Sequence, residues 1–486
     1  MDNKILFTHS YFYKMDAKQW KNQTPFLPLG TIYAASLLRE NNYKVSLFDV
    51  ALKDSPNEIL PILKDEKPKF LVIYDDGFNY LTKMCLTNMR EACFDMIKLG
   101  KKNNCKVIVS SSDSTDHSKK YIKAGADFII YGEAEKTLLE LINFLDTKKD
   151  KVISNIDGII YKDKKQNKFV KTKPRKLIKS LDELPIPAWD LIAVNAYKKI
   201  WKNSKQQFTL NLATTRGCPY HCNWCAKPIY GQRYNSHSPS RVVEMIKLLS
   251  NNYNVNNFWM CDDIFGLKPN WVQEFDKLLK QENLDIRYYI QSRADLLLKE
   301  NNIDSLVSSG LEEVWIGAES GSQKILDAMD KGTNIAQIET ATKLLQAKKV
   351  KVAFFIQYGY LGETKQDINK TIDLIKKLKP DNIGVSVSYP LPETPFYEKV
   401  KNQFNGKENW KDSDDLAMLF KGTFNQKFYK RLQRYTHKIF RISKAFNYIK
   451  NGKILTNLRA IVLLMYYIPS AFFDKIVLKK IENAKQ

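Results

Sequence analysis

Three cysteine thiols lie close together near the middle of the chain. Cys218, Cys222 and Cys225 are separated by three residues and then by two, in a run that begins at Thr214. Residues 208–212, just before this run, alternate apolar and polar side chains, which predicts a strand that leads into a loop. A short loop can place three thiolates around one soft metal centre, and three ligands leave a fourth position open. The spacing therefore indicates a reactive metal site rather than a closed structural one.

Zinc and buried free thiols are the alternatives for this triplet. A closed zinc site needs a fourth Cys or His ligand, and His221 and His237 are near enough in the sequence to supply one. A buried free thiol behaves as a small apolar side chain and needs no ligand. The triplet by itself leaves both alternatives open.

The composition limits the class of protein. The 486 residues predict two or three domains, and a hydrophobic fraction of 44% is ordinary for a globular chain. The first residues do not resemble a signal peptide, and we expect no apolar run of the roughly 20 residues that cross a bilayer. The seven cysteines suggest no disulfide framework and fit a reducing cytoplasm.

The formal net charge is +24. Such a charge can favour nucleic acid, an anionic membrane or an anionic substrate. The lysines are scattered rather than concentrated in one block, so we interpret most of the charge as solvated surface.

Residues 1–150 alternate short apolar runs with helix-like segments. Strands are predicted at Ile5–Phe7, Val45–Phe48, Phe70–Ile73, Val107–Val109 and Phe128–Ile130, and helices at Thr31–Asn41, Lys83–Lys102 and Ala134–Phe144. This alternation predicts an α/β fold with a doubly wound, flavodoxin-like parallel sheet, in which ligands bind beyond the carboxyl ends of the strands. The Gly-x-Gly-x-x-Gly pattern of a dinucleotide-binding domain is absent.

Residues 206–395 repeat a strand and a helix about six times. Strands are predicted at Phe208–Ala213, Asn257–Cys261, Arg287–Gln291, Glu313–Gly317, Val352–Ile356 and Ile383–Val387, and helices at Arg241–Leu249, Trp271–Gln281, Ile335–Lys348 and Gln366–Lys377. Polar clusters follow several strands, at residues 262–263, 291–293, 317–322 and 357–364. In a barrel of such units the chemistry gathers at the carboxyl ends of the strands.

Two further regions complete the domain prediction. Residues 151–205 contain a predicted hairpin, at 156–161 and 168–170, and a linker stiffened by Pro185 and Pro187. Residues 396–486 are predicted to be helical and basic, with an acidic helix cap at 410–416. The apolar segment Ala460–Ile468 is too short to span a bilayer; we favour a buried terminal helix, with a helix lying on a membrane as the alternative.

The Cys-x3-Cys-x2-Cys pattern, with an aromatic residue before the last cysteine, resembles the radical S-adenosylmethionine (SAM) superfamily. The resemblance implies a partial (β/α)6 TIM-like barrel over residues 206–395, in which Cys218, Cys222 and Cys225 hold a 4Fe–4S cluster and SAM chelates the fourth iron. Reduction then splits SAM into methionine and a 5′-deoxyadenosyl radical. The Gly-x-Glu-Ser-Gly element at 317–321 resembles the family's SAM contact. The SAM-binding residues implied in this way are Trp224, Arg293, Glu319 and Ser320.

Residues 1–150 resemble the cobalamin-binding domain that precedes many radical SAM cores, and the Leu-Asp-Glu-Leu-Pro-x-Pro linker from Leu181 is typical of the same proteins. The cobalamin contacts implied are Pro28, Leu29, Gly30, Ser110, Ser111, Gly132 and Glu133. The Asp-x-His-x-x-Gly motif, whose His ligates cobalt, is missing around His117, so a bound cobalamin would lack a protein His ligand. A flavodoxin-like domain that binds nothing is the alternative. Cys85, Cys93 and Cys105 are predicted to be buried thiols rather than ligands of a second cluster.

The resemblance implies a cytoplasmic, cobalamin-dependent radical SAM methyltransferase that methylates an unactivated carbon. Its substrate would be a small or lipid-linked molecule, its electron donor a flavodoxin or ferredoxin, and its C-terminal region could contact a membrane peripherally. One alternative keeps both cofactors but catalyses a cyclisation or rearrangement. Another is a metal-bearing nucleic-acid-binding protein, which the charge motivates and the lack of a basic-aromatic repeat disfavours.

Overall fold

A computed structural model of the protein describes residues 4–75, 77–78, 85–147, 152–163, 165–227, 229–404, 410–411, 416, 418–451 and 454–483. The chain divides into two units. The first comprises residues 1–219, 227–263 and 408–415, and the second comprises residues 220–226, 264–407 and 416–486.

A seven-stranded sheet organises the first part of the first unit. Its strands are β1 (Lys4–Thr8), β2 (Lys44–Phe48), β3 (Phe70–Tyr74), β4 (Lys106–Ser110), β5 (Phe128–Ile130), β6 (Ile159–Asp163) and β7 (Lys168–Lys171). The order is β2-β1-β3-β4-β5-β6-β7, and the first five strands are parallel. An order of 2-1-3-4-5 is that of flavodoxin-like folds. The predicted doubly wound sheet is confirmed.

Helices cover both faces of this sheet. They are α1 (Ala17–Asn22), α2 (Leu29–Glu40), α3 (Leu60–Glu66), α4 (Thr87–Lys102), α5 (Ser112–Asp116), α6 (Ser118–Ala124) and α7 (Glu135–Thr147). Successive residues of β3 alternate between the faces: Phe70 and Val72 pack in one apolar cluster with α2 and α7, while Leu71 and Ile73 pack in another with α4. A strand buried on both faces reads as a continuous apolar run, which explains why these strands were detectable in the sequence.

The predicted hairpin forms, but it belongs to the sheet rather than to a separate linker. β6 and β7 pair antiparallel, and β6 pairs antiparallel with β5, with Ile159 opposite Ile130. The hairpin covers the edge that β5 would otherwise expose. The proline-containing segment that follows is held to α2, since Ser36 Oγ donates to Ile186 O at 2.6 Å.

The remainder of the first unit contains the first strands of the second α/β region. β8 (Leu210–Leu212) pairs in parallel with β11 (Asn257–Met260), and β9 (Thr215–Arg216) pairs antiparallel with β10 (Asn235–Ser236). Two helices, α8 (Val194–Ser204) and α9 (Pro239–Tyr253), accompany them.

The second unit contains four parallel strands with helices between them. The strands are β12 (Arg287–Ser292), β13 (Leu311–Glu319), β14 (Lys351–Tyr358) and β15 (Asn382–Val387). The helices are α10 (Trp271–Gln281), α11 (Ala294–Leu297), α12 (Asn302–Ser308), α13 (Gln323–Ala328), α14 (Ile335–Ala347), α15 (Lys365–Leu378) and α16 (Pro395–Val400). All six strands predicted for residues 206–395 are present, as β8 and β11–β15.

Two long helices, α17 (Gln426–Asn451) and α18 (Ile454–Asn483), end the second unit. α17 packs against α15 and β15, and α18 packs along α17. α18 continues through Pro469, so the apolar segment Ala460–Ile468 is part of a longer helix. The expectation that no run long enough to cross a bilayer would occur is wrong by length and composition. Among the described residues, Leu458–Glu482 is the one stretch long and apolar enough to cross a membrane, and only 22% of its most apolar window is buried. The favoured prediction of a buried terminal helix is therefore also wrong, and the cap predicted at 410–416 lies largely outside the described residues.

Candidate active site

The strand that leads to the cysteines is fixed at its carboxyl end by Asp262. Its buried carboxylate accepts hydrogen bonds from the backbone N–H of Thr214 at 2.7 Å and of Thr215 at 2.8 Å, and from the Thr214 hydroxyl at 2.5 Å. Burial raises the pKa of Asp262 to about 7, although these hydrogen bonds oppose the shift. Asp262 thus holds the backbone four residues before the first cysteine.

Arg216, two residues before Cys218, is buried in an ion-pair triad. Its guanidinium donates to Glu133 Oε1 and to Glu135 Oε1, each at 2.7 Å, and only 2% of the residue is exposed. The rings of Tyr33, Phe78 and Tyr230 surround the same guanidinium, with centroids at 5.3, 5.6 and 5.0 Å. A charge buried this deeply is tolerated because it is paired with two carboxylates through hydrogen bonds. The triad joins the strand before the cysteines to the loop that follows β5 and to the first residue of α7.

Gly217 makes the turn from this strand into the cysteine loop, which we define as residues 218–225. Its φ is +79°, and a Cβ at this position would lie 2.4 Å from Arg233 O and 3.0 Å from Gly231 O. Glycine is required here, since any side chain would collide with backbone.

Asn223 anchors the cysteine loop between its second and third thiols. Its backbone N–H donates to Met329 O at 3.0 Å, its side-chain amide donates to Ala328 O and to Asp330 Oδ2 at 2.8 Å, and Tyr360 donates to its side-chain oxygen at 2.6 Å. Its carbonyl accepts from Phe396 N–H at 3.0 Å. Asn223 stands between Cys222 and Trp224, so these bonds fix the backbone between the second and third thiols.

The three thiols of the loop are not in disulfides; Cys222 is buried, and Cys218 and Cys225 are half-buried. Within the described residues, no three His, Cys, Asp or Glu side chains form a ready site for one metal ion. A 4Fe–4S cluster binds each thiolate to a different iron, which requires the sulfurs to be farther apart than a single zinc ion does.

His237 is occupied elsewhere, which removes one candidate for a fourth zinc ligand. Its Nδ1 lies 2.9 Å from Asp182 Oδ1 and its Nε2 lies 3.2 Å from the Tyr33 hydroxyl. The hydrogen bond with His237 lowers the pKa of Asp182 to about 2. Asp182 belongs to the Leu-Asp-Glu-Leu-Pro segment, so this pair ties that segment to the loop before α9. His221, the other candidate, is exposed.

Glu319 ends β13 in a strained conformation. A register shift between Gly317 and Glu319 inserts an extra residue against β14, and Glu319 has a φ of +55°. Bulges and left-handed residues re-aim side chains and cluster at functional sites. The carboxylate of Glu319 is buried and pairs with Lys331 Nζ at 2.9 Å.

Lys331 is a buried cation that lies next to the cysteine loop. Burial by itself lowers its pKa, but the charge of Glu319, and after it that of Cys222, raises the pKa above the usual value. Lys331 therefore stays protonated, and it contributes positive charge where a thiolate and an anionic ligand would be stabilised.

Arg293 holds the segment that carries Lys331. Its guanidinium donates to Lys331 O at 2.6 Å, to Gly332 O at 3.1 Å and to Asp295 at 2.9 Å. It also stacks on the ring of Tyr220 in the cysteine loop, 3.7 Å from the centroid. Most of its donors are already used, so its main observed role is to position Lys331 and the loop.

The polar groups of Ser320 and Trp224 differ in whether they have hydrogen-bond partners. The Ser320 hydroxyl is fully buried, lies 3.2 Å from Thr371 Oγ1 and accepts from Ser322 N–H at 3.1 Å, so it stabilises its own loop. The Trp224 ring packs beside an apolar cluster that contains Met329 and Phe396. Its buried indole N–H has no hydrogen-bond partner in the described part of the chain.

The predicted cobalamin positions lie at the carboxyl ends of β4 and β5 in the first unit, or open α2. Pro28, Leu29 and Gly30 begin α2, and the next residue, Thr31, donates to Tyr74 O at 2.6 Å. Ser110 ends β4, Ser111 caps α5, and the hydroxyl of Ser112 is buried without a partner among the described residues. Gly132 has a φ of +72°, and a Cβ there would meet no atom within 4 Å. Glu133 differs from these positions because both its carboxylate oxygens already accept hydrogen bonds, one from Arg216 and the other from Ile178 N–H at 2.6 Å.

Glu363 is a fully buried carboxyl group in the loop between β14 and α15. One oxygen accepts from Gly359 N–H at 2.6 Å, and the other has no partner within the ranges that the structure describes. Burial raises the pKa of Glu363 to about 8.

Three residues of the site escaped the sequence analysis: Arg216, Asn223 and Lys331. Arg216 and Asn223 stand inside the cysteine run, so their position was a usable signal. Nothing in the sequence distinguishes Lys331 from the many other lysines, because only the structure shows that it lies beside Glu319.

Residues 212–375 match the family model of the radical SAM superfamily. The matched stretch includes the cysteine loop, Arg293, Glu319 and Lys331. The match therefore covers the cysteine loop and the residues of the second unit that hold it, but not Glu133, Glu135 or Asp182.

Among curated proteins, the chain is similar to an uncharacterised methyltransferase of Pyrococcus horikoshii. The two are 27% identical over 401 residues, which cover 81% of this chain and 83% of that protein. It is also similar to the anaerobic magnesium-protoporphyrin IX monomethyl ester cyclase of Rubrivivax gelatinosus, with 26% identity over 276 residues, 56% of this chain and 49% of the cyclase. The chain thus spans most of the first relative but about half of the second.

Two solved structures share the fold. The radical SAM methyltransferase TsrM of Kitasatospora setae, with cobalamin and a [4Fe-4S] cluster bound, has a TM-score of 0.67 and 16% identity, over 83% of this chain and 75% of that chain. The cobalamin-dependent radical SAM enzyme OxsB, with aqua-cobalamin and SAM bound, has a TM-score of 0.71 and 18% identity, over 98% of this chain and 72% of that chain. At this identity the likeness establishes the fold.

Replacement of Arg216 by Met should destabilise the first unit. The change leaves Glu133 and Glu135 buried without their cation, which costs about 3–5 kcal/mol, measured as the shift in urea-induced unfolding. The matched control adds Glu133→Gln and Glu135→Gln to Arg216→Met, and it should recover more than half of the loss. Equal stability of the single and the triple variant would contradict the buried triad.

The stability of the second unit should fall as the pH rises toward 8, because of Glu363. The fold raises the pKa of this group from 4.5 to about 8, so its contribution is complete below about pH 4.5 and is lost as the pH rises through about 8. Glu363→Gln mimics the protonated form, and at pH 8 it should be more stable than the wild type by about 2 kcal/mol or more. Urea unfolding at pH 5 and pH 8 measures this. The exposed control Glu300→Gln should keep the wild-type pH slope; an unchanged slope in Glu363→Gln would refute the assignment.

Proposed function

This chain carries a radical SAM domain, and we propose that it is a cobalamin-dependent radical SAM enzyme that transfers a methyl group to an unactivated carbon. The observation that carries the proposal is the cysteine loop, whose three thiols lie inside the matched domain, with Arg216 anchored before the first thiol and Asn223 anchored between the second and the third. The 4Fe–4S cluster and cobalamin would supply the radical chemistry and the transferable methyl group. The task of the protein is to position the reacting groups and to exclude water.

Cys218, Cys222 and Cys225 would hold the cluster. The loop offers three thiols, and His237 is not available as a fourth ligand because it is used by Asp182 and Tyr33. Lys331 adds a positive charge near Cys222, which favours thiolate ligands.

The pair of Glu319 and Lys331 fits the methionine end of SAM. An amino acid carries one carboxylate and one ammonium group, and a buried pair of opposite charges can receive both without leaving an unpaired charge. Arg293 would hold the Lys331 segment, and Ser320 would hold the Glu319 loop. The unsatisfied indole N–H of Trp224 is suited to an acceptor on the adenosyl half, so we propose that Trp224 positions the adenine.

Cobalamin would lie at the carboxyl ends of β1, β3, β4 and β5. Open space beside Gly132 and the unsatisfied hydroxyl of Ser112 support this place, and small residues at Gly30, Ser110 and Ser111 allow close approach of a large ring. Pro28 and Leu29 shape the entry of α2. Glu133 would act through Arg216, by fixing the strand that leads to the cysteines.

We further propose a cytoplasmic enzyme that receives electrons from a flavodoxin or ferredoxin and acts on a small or lipid-linked molecule. Its C-terminal region would contact a membrane peripherally. Cyclisation or rearrangement with the same cofactors is the second candidate, and the similarity to a magnesium-protoporphyrin cyclase favours it. A product heavier than the substrate by one methylene unit separates methylation from rearrangement.

Cys222→Ala should abolish SAM cleavage while the fold survives. The reconstituted, reduced variant should form no 5′-deoxyadenosine above background, because two thiols cannot replace the three that hold the cluster. Chromatography of the reaction mixture measures the nucleoside. The matched control Cys105→Ala removes a buried thiol of the first unit and should retain the activity. Formation of 5′-deoxyadenosine by the Cys222 variant would disprove the cluster assignment.

Lys331→Met should weaken SAM binding at least about tenfold, because a charge-assisted hydrogen bond contributes about 1.5–3 kcal/mol. Equilibrium dialysis of reconstituted protein gives the dissociation constant, and iron content checks that the cluster is retained. The control Lys324→Met, at an exposed lysine of α13, should bind SAM normally. Unchanged affinity in the Lys331 variant would exclude this lysine from the SAM site.

A further inference from the structure

The outer face of α18 is apolar and exposed. The helix packs on α17 through one stripe, which includes Ala460, Leu464, Ala471 and Leu478. On its other faces ten large apolar side chains are between 40% and 71% exposed; these are Leu458, Ile461, Val462, Leu463, Met465, Tyr466, Ile468, Phe472, Phe473 and Ile476. Residues 460–473 include no charged side chain. A helix that is apolar all round needs a partner other than water.

This exposure is confined to one end of the chain. Elsewhere in the described residues, apart from Phe446 and Tyr448 of α17, only Val152 and Leu344 are large apolar side chains with comparable exposure. Single exposed apolar residues are normal, but a contiguous patch of this size marks a binding surface.

Cations surround the patch. Arg459 precedes the uncharged stretch, and Lys475, Lys479 and Lys480 follow it. α17 carries eight Lys or Arg and no acidic residue. The two acidic residues of α18 are both neutralised: Asp474 pairs with Arg431 at 2.7 Å and Lys438 at 2.6 Å, and Glu482 pairs with Lys365. A protein partner with an apolar patch needs no such charge, whereas the headgroups of anionic lipids are attracted by it.

The same contacts hold α18 flat against the rest of its unit. Besides the pairs of Asp474 and Glu482, Arg441 donates to the Tyr467 hydroxyl, and Lys438 donates to Ser470 O at 3.4 Å. To cross a bilayer, α18 would have to break these bonds and expose the buried Asp474 to lipid. The uncharged stretch of 460–473 is only about 21 Å long as a helix, which suits a helix lying in the interface.

We propose that the exposed apolar face of α18 inserts into the surface of a bilayer that contains anionic lipids, while α17 stays in water. This deepens the peripheral membrane contact proposed above, and it is independent of the radical chemistry. The lysines and arginines beside the face contact the headgroups, and the aromatic and aliphatic side chains enter the boundary between headgroups and acyl chains.

Vesicle flotation of the full-length protein tests the proposal. The wild type should float with vesicles of phosphatidylcholine that contain about 30% phosphatidylglycerol, and its binding should fall at least about tenfold with phosphatidylcholine alone or in about 1 M NaCl. The triple variant Met465→Ser, Phe472→Ser, Phe473→Ser should lose binding to the anionic vesicles by at least about tenfold. The matched control Leu344→Ser, Val152→Ser removes exposed apolar side chains elsewhere and should bind like the wild type.

Four results would overturn the proposal. The first is that the wild type does not bind vesicles, and the second is that the triple variant and its control lose binding equally. The third is that the protein stays in host membranes after alkaline extraction, which indicates a spanning helix. The fourth is a dimer, seen by light scattering, that the triple variant abolishes and that vesicles do not displace. Flotation of Cys222→Ala separates this proposal from the enzymatic one, since that variant should bind vesicles normally even though it cleaves no SAM.

Discussion

The buried guanidinium of Arg216 is the contact on which the strand before the cysteine loop depends. It carries a full charge in a place with almost no water, and it is stable there only because Glu133 and Glu135 are both within hydrogen-bonding distance. Glu133 lies in the loop after β5 and Glu135 begins α7, both more than eighty positions away in the sequence. The flavodoxin-like sheet therefore contributes directly to the placement of the first thiol.

A buried ion pair also lies next to the part of the cysteine loop that contains Cys222. Lys331 and Glu319 form a second buried ion pair, and Arg293 holds the backbone of Lys331 while it stacks on Tyr220. Buried pairs of this kind stabilise a fold less than apolar packing would, and they are kept where position or charge matters more than stability. The anchoring of Asn223 adds the directional hydrogen bonds that a short loop cannot supply for itself.

The structure shows where part of the positive charge of the chain is concentrated. Spread along the sequence, the lysines look like ordinary solvated surface, and for most of the protein that interpretation is adequate. Along α17 and α18 the cations instead border a face of exposed aromatic and aliphatic side chains. Positive charges beside an exposed apolar face differ in their effect from charges on a polar surface, because the charges and the apolar side chains can bind the same membrane interface together.

The sequence by itself determined the features that are local. The three thiols, the glycine before them and the strand that leads to them are contiguous, so their spacing indicated a candidate metal site, with zinc and buried free thiols as the alternatives. Strands buried on both faces, such as β3, are continuous apolar runs, and they were predicted to within a few residues.

Only the tertiary structure decided which distant groups meet. Arg216 with its two glutamates, and Lys331 with Glu319, depend on loops that the sheets bring together, and no periodicity records such pairs. The placement of β6 and β7 on the sheet depended on an open edge beside β5. The exposure of α18 depended on which of its faces α17 covers, because an apolar helix looks the same in sequence whether its partner is protein or lipid.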